Sequence, residues 1–302
     1  MPDKSATIIF VPGIRPKPPA DQQGAELRRC LEIGLKRLDI DGDEAARFSS
    51  LLNVVGWSWH FYGIHKDIEI DRAGIERLLT VSDDRQRVVR EATSPGRRIL
   101  RAMYAFTDRF PTVSGYFMTR RMETRVHEVR RYFANRNGEA DSLRAMVVKK
   151  LRHAWNEDKR VLLLGHSFGS VIAYDALWEL SHLQSNPGKI DLFVSMGSPL
   201  TLNFIRQHLK GATESGRRRY PTNIGRWVNL AAIGEVTAMD RRLADCFADM
   251  CKLGLVDSIY DDLDVVNQFR DPEGLNVHKC YGYLASATAS SLIYEWCSNT
   301  EG

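Results

Sequence analysis

The chain has 302 residues, of which 43% are hydrophobic and 26% are charged. These fractions are ordinary for a globular protein with a full core, and no apolar run approaches the roughly 18 residues of a membrane-spanning helix. The five cysteines show neither a CxxC pair nor zinc-type spacing. We therefore expect reduced thiols and a cytoplasmic location.

The net charge of +4 is unevenly distributed along the chain. Residues 61–160 contain 22 Lys and Arg against 14 Asp and Glu, whereas the remainder contains 20 against 24. This basic middle is expected either to form solvated, arginine-rich helices or to contact an anionic partner, such as lipid headgroups or an acidic substrate. Aromatic residues do not interleave its arginines as they do in single-strand nucleic-acid binders, so no nucleic-acid partner is expected.

The first part of the chain predicts a strand, a loop, a helix and a second strand. Residues 6–11 are an apolar run typical of a buried strand. Residues 12–19 contain four prolines and predict a non-helical loop. Leucines at helical spacing predict a helix over residues 22–38. Large apolar side chains alternate with small or polar ones over residues 55–61, which predicts a strand with an aromatic face.

Residues 62–138 interrupt this pattern and are predicted to be a mainly helical insertion. Apolar residues recur at a spacing of about 3.6 over residues 118–133, with arginines on the other faces. Residues 88–106 are also helical in character. The predicted core of the protein is then formed by residues 1–61 and 139–302.

Strands and helices alternate over the second half of the chain. Strands are predicted at residues 161–164, 190–196 and 227–233, and a last strand is predicted within residues 259–269, with 264–267 favoured. Helices are predicted at residues 143–154, 168–183, 238–253 and 281–297. Such alternation is typical of an α/β fold with a mostly parallel central sheet and helices on both of its faces.

A serine between two glycines lies where one of these strands meets its helix. The sequence GHSFG occupies residues 165–169, with Ser167 at its centre. A serine at the tip of a strand-to-helix turn exposes its hydroxyl, and the glycines allow the close backbone approach that the turn needs. This context favours a nucleophilic serine over a plain structural turn.

A serine nucleophile needs a base, which in sheets of this type follows the nucleophile in the chain. Three histidines follow Ser167. His182 and His208 lie in predicted helices, whereas His278 lies in a loop between the last predicted strand and the last predicted helix. Catalytic groups in open parallel sheets come from loops at the carboxyl ends of strands, so His278 is the predicted base.

The carboxylate that orients the base has two candidates. Glu235 comes two residues after a predicted strand ends, where a short loop can aim it at His278. Asp240 comes five residues later, where it equally fits the first turn of the next helix. We favour Glu235 and keep Asp240 as the alternative.

Acyl transfer also places negative charge on a carbonyl oxygen, which two backbone amides must stabilise. Phe168, directly after the serine, is predicted to supply one amide. The loop after the first strand is expected to supply the other. Pro12 has no amide hydrogen, so Ile14 is the predicted donor, and a plain proline-rich surface loop is the alternative.

Over most of residues 6–297, these features resemble the α/β-hydrolase superfamily, specifically its lipase-like and esterase-like members with a helical cap. The resemblance implies a catalytic triad of Ser167, His278 and either Glu235 or Asp240. It also implies that the helical insertion covers the site as a cap.

We expect the chain to hydrolyse carboxylic esters through an acyl-enzyme, without a metal or an organic cofactor. Thioester hydrolysis and acyl transfer use the same groups and are alternatives. A non-catalytic scaffold that binds an anionic partner is an alternative of another class. The acyl chain, the leaving group and the oligomeric state stay open.

Overall fold

The computed structural model describes residues 5–81, 84–96, 120–184, 188–235 and 242–299. Its strands are β1 (Ala6–Val11), β2 (Leu52–Val54), β3 (Arg160–His166), β4 (Ile190–Met196), β5 (Ile224–Ala232), β6 (Ser258–Val265), β7 (Arg270–Asp271) and β8 (Gly274–Leu275). Its helices are α1 (Ala20–Lys36), α2 (Gly42–Ser50), α3 (Ser58–Tyr62), α4 (Glu69–Thr80), α5 (Arg85–Ala92), α6 (Arg120–Ala134), α7 (Glu139–Asn156), α8 (Gly169–His182), α9 (Asn203–His208), α10 (Leu243–Cys246), α11 (Ala248–Lys252), α12 (Cys280–Leu284) and α13 (Ala287–Ser298).

Six strands form one parallel sheet in the order β2-β1-β3-β4-β5-β6, and β7 and β8 form a separate antiparallel pair. The α/β class with a parallel central sheet is therefore confirmed. The strand order reverses between β1 and β3, because the chain continues from β1 to one side and from β3 to the other. Such a reversal opens a crevice at the carboxyl ends of the two strands, where α/β proteins bind ligands.

The sheet is buried on both faces. Ile8 and Phe10 belong to one hydrophobic core and Ile9 and Val11 to the other, so that successive residues of β1 alternate between the two. Helices α1, α2, α12 and α13 cover the first face, and α7 and α8 cover the second. Coverage on both faces explains why the strands are nearly continuous apolar runs in the sequence.

The described helices of the predicted insertion pack into these same two cores. Ile75 of α4 and Val88 of α5 belong to the first core, and Tyr132 of α6 belongs to the second. Residues 97–119, in the middle of the insertion, lie outside the described residues. The division into a core and a cap stays a prediction.

The predicted aromatic strand over residues 55–61 is wrong. Strand β2 ends at Val54, and the next residues turn into the short helix α3. Trp57 and Phe61 are buried, but Trp59, which a strand would place on the same face, is 47% exposed. A spacing of four residues fits both a strand and a helix, and the exposure of Trp59 shows that the helical period prevails. The rings of Trp57 and Phe61 meet edge to face, with centroids 6.0 Å apart.

Three further elements differ from their predictions in their bounds. The last strand of the sheet is β6, which ends at Val265, whereas residues 264–267 were favoured as the strand. The acidic, half-exposed sequence of β6 lacks the apolar run that indicates a buried strand. The helix predicted over residues 238–253 is replaced by α10 and α11, with residues 236–241 outside the described part. The C-terminal helix is interrupted at Ser286, whose hydroxyl accepts a hydrogen bond from the Ala289 amide at the start of α13. Among the described helices, none is long and apolar enough to cross a bilayer.

Candidate active site

Ser167 lies on the sharp turn between β3 and α8. Its φ is 52°, in the left-handed region that residues other than glycine rarely adopt. The neighbouring glycines are required by space, because a Cβ on Gly165 would lie 2.6 Å from the Cα of Ser170 and one on Gly169 would overlap the carbonyl oxygen of Val11. The two glycines of the GHSFG sequence are thus explained by the close packing of this turn.

Hydrogen bonds from neighbouring elements hold this strained turn in place. The Ser167 amide donates to the carbonyl oxygen of Met196 at the end of β4, at 2.8 Å. The Ser170 hydroxyl donates to the carbonyl oxygen of Ser167 at 2.6 Å and lies 2.7 Å from the hydroxyl of Ser198. With its backbone fixed on both sides, Ser167 presents its half-buried side chain at the crevice.

The structure brings Ser167, His278 and Glu235 together in one chain of hydrogen bonds. The Oγ of Ser167 lies 2.9 Å from Nε2 of His278, and Nδ1 of His278 lies 2.9 Å from Oε2 of Glu235. The Glu235 side chain is buried, while that of His278 is 27% exposed. An Nδ1–H that donates to the carboxylate leaves the Nε2 lone pair to accept the serine proton. Asp240, the alternative acid, lies outside the described residues.

Glu235 is held by a short turn after β5 and by a tyrosine. Gly234 has a φ of 82°, and the Glu235 amide donates to the carbonyl oxygen of Ala232 at 2.8 Å. The hydroxyl of Tyr283 in α12 donates to Oε2 of Glu235 at 3.1 Å and accepts from the Ala232 amide at 2.9 Å. Burial, and then the charge of Glu235, raise the pKa of Tyr283 well above its ordinary value, so the phenol keeps its proton and stays a donor.

The segment around His278, here called the histidine loop (residues 276–279), is fixed through its backbone. The buried side-chain amide of Asn267 donates to the carbonyl oxygens of Val277 and Lys279, at 2.8 and 2.9 Å. The His278 amide donates to the side-chain oxygen of Asn276 at 3.2 Å. These bonds set the position of the imidazole although the loop has no regular secondary structure.

His166, inside the GHSFG sequence, completes the support of His278. Its Nε2 lies 2.7 Å from the carbonyl oxygen of His278, so this nitrogen carries the hydrogen and donates it. Burial, and then the neighbouring His278, lower the pKa of His166 well below its ordinary value and keep the ring neutral. Its buried Nδ1 has no hydrogen-bond partner within the described ranges. Sequence reasoning missed His166, Tyr283 and Asn267; the position of His166 at the end of a buried strand was the one available signal.

The loop after β1, here called the proline loop (residues 12–19), lies against the serine. A Cβ on Gly13 would lie 2.8 Å from that of Ser167. The carbonyl oxygen of Pro12 accepts from the indole of Trp57 at 2.9 Å, and that of Ile14 accepts from Nζ of Lys17 at 2.8 Å. The loop is thus held by the Trp57 indole and by a hydrogen bond within the loop.

The two amides predicted to stabilise an oxyanion flank this contact. Ile14 follows Gly13, and Phe168 directly precedes helix α8. Neither amide donates to a protein acceptor in the part of the chain that the structure describes.

Aromatic side chains pack around Phe168, the residue after the serine. The Phe168 ring meets Tyr132 and Phe133 of α6 at centroid distances of 5.1 and 6.0 Å. Phe133 also meets Phe204 of α9 at 6.1 Å. Phe133 and Phe204 are only partly buried, so this aromatic cluster has an apolar surface.

The residues described here contain no group of His, Cys, Asp and Glu that could hold a metal ion. No protein-family model matches the sequence, and comparisons with curated proteins and with solved structures find no match. On its architecture alone, the chain belongs to the α/β class.

Proposed function

We propose that the protein is a serine hydrolase that cleaves carboxylic esters, the activity that the α/β-hydrolase resemblance implies. The observation that carries the proposal is the chain of two 2.9 Å hydrogen bonds from Ser167 through His278 to Glu235. A serine hydroxyl becomes a nucleophile when a neighbouring imidazole can take its proton and a carboxylate orients that imidazole. The position of the serine at the sheet crevice supports the same activity.

In the proposed reaction, Oγ of Ser167 attacks the ester carbonyl carbon while Nε2 of His278 accepts the hydroxyl proton. Glu235, with its hydrogen bond from Tyr283, stabilises the imidazolium that forms. The imidazolium then gives its proton to the leaving alcohol as the tetrahedral intermediate collapses to an acyl-enzyme. A water molecule, deprotonated by His278, then attacks the acyl carbon. The bond between that carbon and Oγ of Ser167 breaks as the imidazolium returns its proton to Oγ, and the acid is released with the serine regenerated.

The oxyanion of each tetrahedral intermediate is proposed to bind the amides of Ile14 and Phe168. Loss of a single oxyanion donor typically lowers kcat by about 10²–10³. The aromatic side chains of α6 and α9 beside Phe168 are proposed to contact the acyl group.

We further propose that residues 62–138 act as the cap of the site. The supporting observation is the contact of Tyr132 and Phe133 in α6 with Phe168, the residue after the serine. A cytoplasmic location is proposed as well, since all five cysteines are free thiols.

A fluorophosphonate probe tests the nucleophile. The wild-type protein is expected to be labelled and Ser167→Ala is expected not to be, because the probe reacts with an activated serine hydroxyl. Ser142→Ala, on the exposed surface of α7, is the matched control and is expected to be labelled like the wild type. Failure to label the folded wild type, or equal labelling of Ser167→Ala, would contradict the proposal. A panel of p-nitrophenyl esters of increasing length, with an acyl-CoA and a phospholipid, then identifies the acyl donor.

A further inference from the structure

Two lysine side chains pair with one carboxylate, and a third lysine, in the proline loop, lies near them. Nζ of Lys66 and Nζ of Lys279 each lie 2.6 Å from a different oxygen of Asp71, in α4. The ammonium group of Lys17, in the proline loop, interacts electrostatically with all three of these groups. We call these four residues the lysine cluster.

The lysine cluster holds more positive charge than its carboxylate can balance. Three ammonium groups and one carboxylate give a net charge of +2. Asp71 is the carboxylate that pairs directly with both Lys66 and Lys279. The neighbouring Cys280 does not offset the excess, because burial raises the pKa of its thiol and keeps it neutral.

This excess of charge is costly for the folded protein. Burial, followed by repulsion from Lys279 and Lys66, lowers the pKa of Lys17 to about 8. Burial and the nearby Lys279 also lower the pKa of Lys66. A single lysine would be enough to pair with Asp71, so a purely structural role does not explain three. A bound anion would relieve the repulsion.

The lysines can also reach a ligand. The side chains of Lys66 and Lys279 are 24% and 23% exposed. Each ammonium group has three N–H donors, and each uses one of them on an oxygen acceptor within the described residues. The remaining donors suit the oxygens of a carboxylate or a phosphate.

We propose that Lys17, Lys66 and Lys279 form a subsite for an anionic group, a carboxylate or a phosphate, that the substrate ester carries. This inference rests on the proposed hydrolase function. The location of the cluster supports it, because Lys279 directly follows the proposed base His278 and Lys17 bonds the carbonyl of Ile14. A group held there can belong to the same molecule as an ester carbonyl at Ser167.

Matched pairs of esters test the subsite. Each pair compares a charged ester with its neutral analogue: mono-p-nitrophenyl glutarate with its methyl ester, 4-acetoxybenzoate with its methyl ester, and 4-acetoxyphenyl phosphate with phenyl acetate. These pairs place a carboxylate on the acyl side, a carboxylate on the alcohol side and a phosphate on the alcohol side. Wild type is expected to prefer the charged member of at least one pair by about 10-fold in kcat/KM.

Lys66→Gln is expected to lower this preference about 10-fold, because it removes one ammonium group without touching Lys17 or His278. Lys66→Arg keeps the charge and is expected to keep the preference. Lys150→Gln makes the same change of charge on the exposed surface of α7 and is expected to leave every ester unaffected. An equal loss on charged and neutral esters in Lys66→Gln, or no preference in wild type, would overturn the subsite.

Calorimetric titration with inorganic phosphate separates this proposal from the hydrolase proposal. Wild type is expected to bind phosphate about 10-fold more tightly than Lys66→Gln. Absence of ester hydrolysis or of probe labelling would count against the proposed function alone. Equal phosphate affinity in the two proteins would count against the subsite, whatever the activity.

Discussion

At the scale of single residues, the hydrogen bond from His166 to the His278 carbonyl is the most informative contact. His166→Phe keeps a ring but removes the hydrogen bond to the part-buried carbonyl oxygen of His278. We expect kcat on p-nitrophenyl acetate to fall about 10–100-fold with little change in KM, because a small displacement of the base weakens proton transfer. His166→Gln, whose side-chain amide can donate from nearly the same position, is expected to retain most of the activity.

Measured kcat, KM and thermal unfolding of both variants decide whether His166 positions the base. If the glutamine and phenylalanine variants lose the same activity, or lose it only in proportion to their stability, His166 is part of the fold and does not position His278. Rescue by glutamine alone is the result that supports a positioning role.

Residue positions could be predicted from the sequence where chain order constrains them. Ser167, Glu235 and His278 were expected to meet because each follows a strand, and the carboxyl ends of parallel strands share one edge of the sheet. His166 and Tyr283 were not anticipated, because chain order assigns no position to the polar groups that support a triad from distant segments. The sequence contains no local pattern that indicates which buried polar group will find which partner.

At the scale of elements, Asp175 joins three segments on one face of the sheet. This buried carboxylate in α8 accepts hydrogen bonds from the Tyr132 hydroxyl of α6 at 2.8 Å and from the Lys210 amide, after α9, at 2.9 Å. Arg144 of α7 reaches the same tyrosine hydroxyl at 3.3 Å. Burial raises the pKa of Asp175 to about 6 despite these partners.

The raised pKa predicts how stability changes with pH. The folded state binds the Asp175 proton more tightly than the unfolded state does. The stability that this proton contributes to the fold is therefore complete below the unfolded pKa and is lost as pH rises through about 6. Between pH 4.5 and 7, we expect the free energy of unfolding of wild type to fall by about 2 kcal/mol relative to that of Asp175→Asn, whose side chain does not titrate. Urea unfolding of both proteins across this range measures the difference. Parallel pH profiles would show that Asp175 does not titrate in this range.

Element predictions failed where two periodicities fit the same residues. Trp57 and Phe61 are four apart and suit either a strand or a helix, and the distinction depends on the exposure of Trp59. Strand β6 was misplaced because it lies at the edge of the sheet and has an exposed, acidic sequence. Buried strands such as β3 and β4 were recognised from their apolar runs, since both of their faces are covered.

At the scale of the whole molecule, two hydrophobic cores hold one strained residue at the point where the strand order reverses. The alternation of strands and helices predicts the α/β class, but the order of the strands depends on packing between distant segments. That order places β1 beside β3 and so brings the proline loop against the Ser167 turn. The cost of the left-handed backbone at Ser167, about 1–2 kcal/mol for a residue other than glycine, is met by the stability of the whole fold.

Because the left-handed backbone at Ser167 costs free energy, we expect glycine at this position to give a more stable fold than alanine. Ser167→Gly and Ser167→Ala both remove the hydroxyl, but only glycine adopts a φ of 52° without strain. We expect Ser167→Gly to be more stable than Ser167→Ala by about 1 kcal/mol in the free energy of unfolding, measured with urea. At Ser142, in α7, the same pair is expected to show the opposite order, because alanine favours a helix over glycine by about 1 kcal/mol. The same order at both sites would mean that Ser167 is not strained, and that its conformation costs the fold nothing.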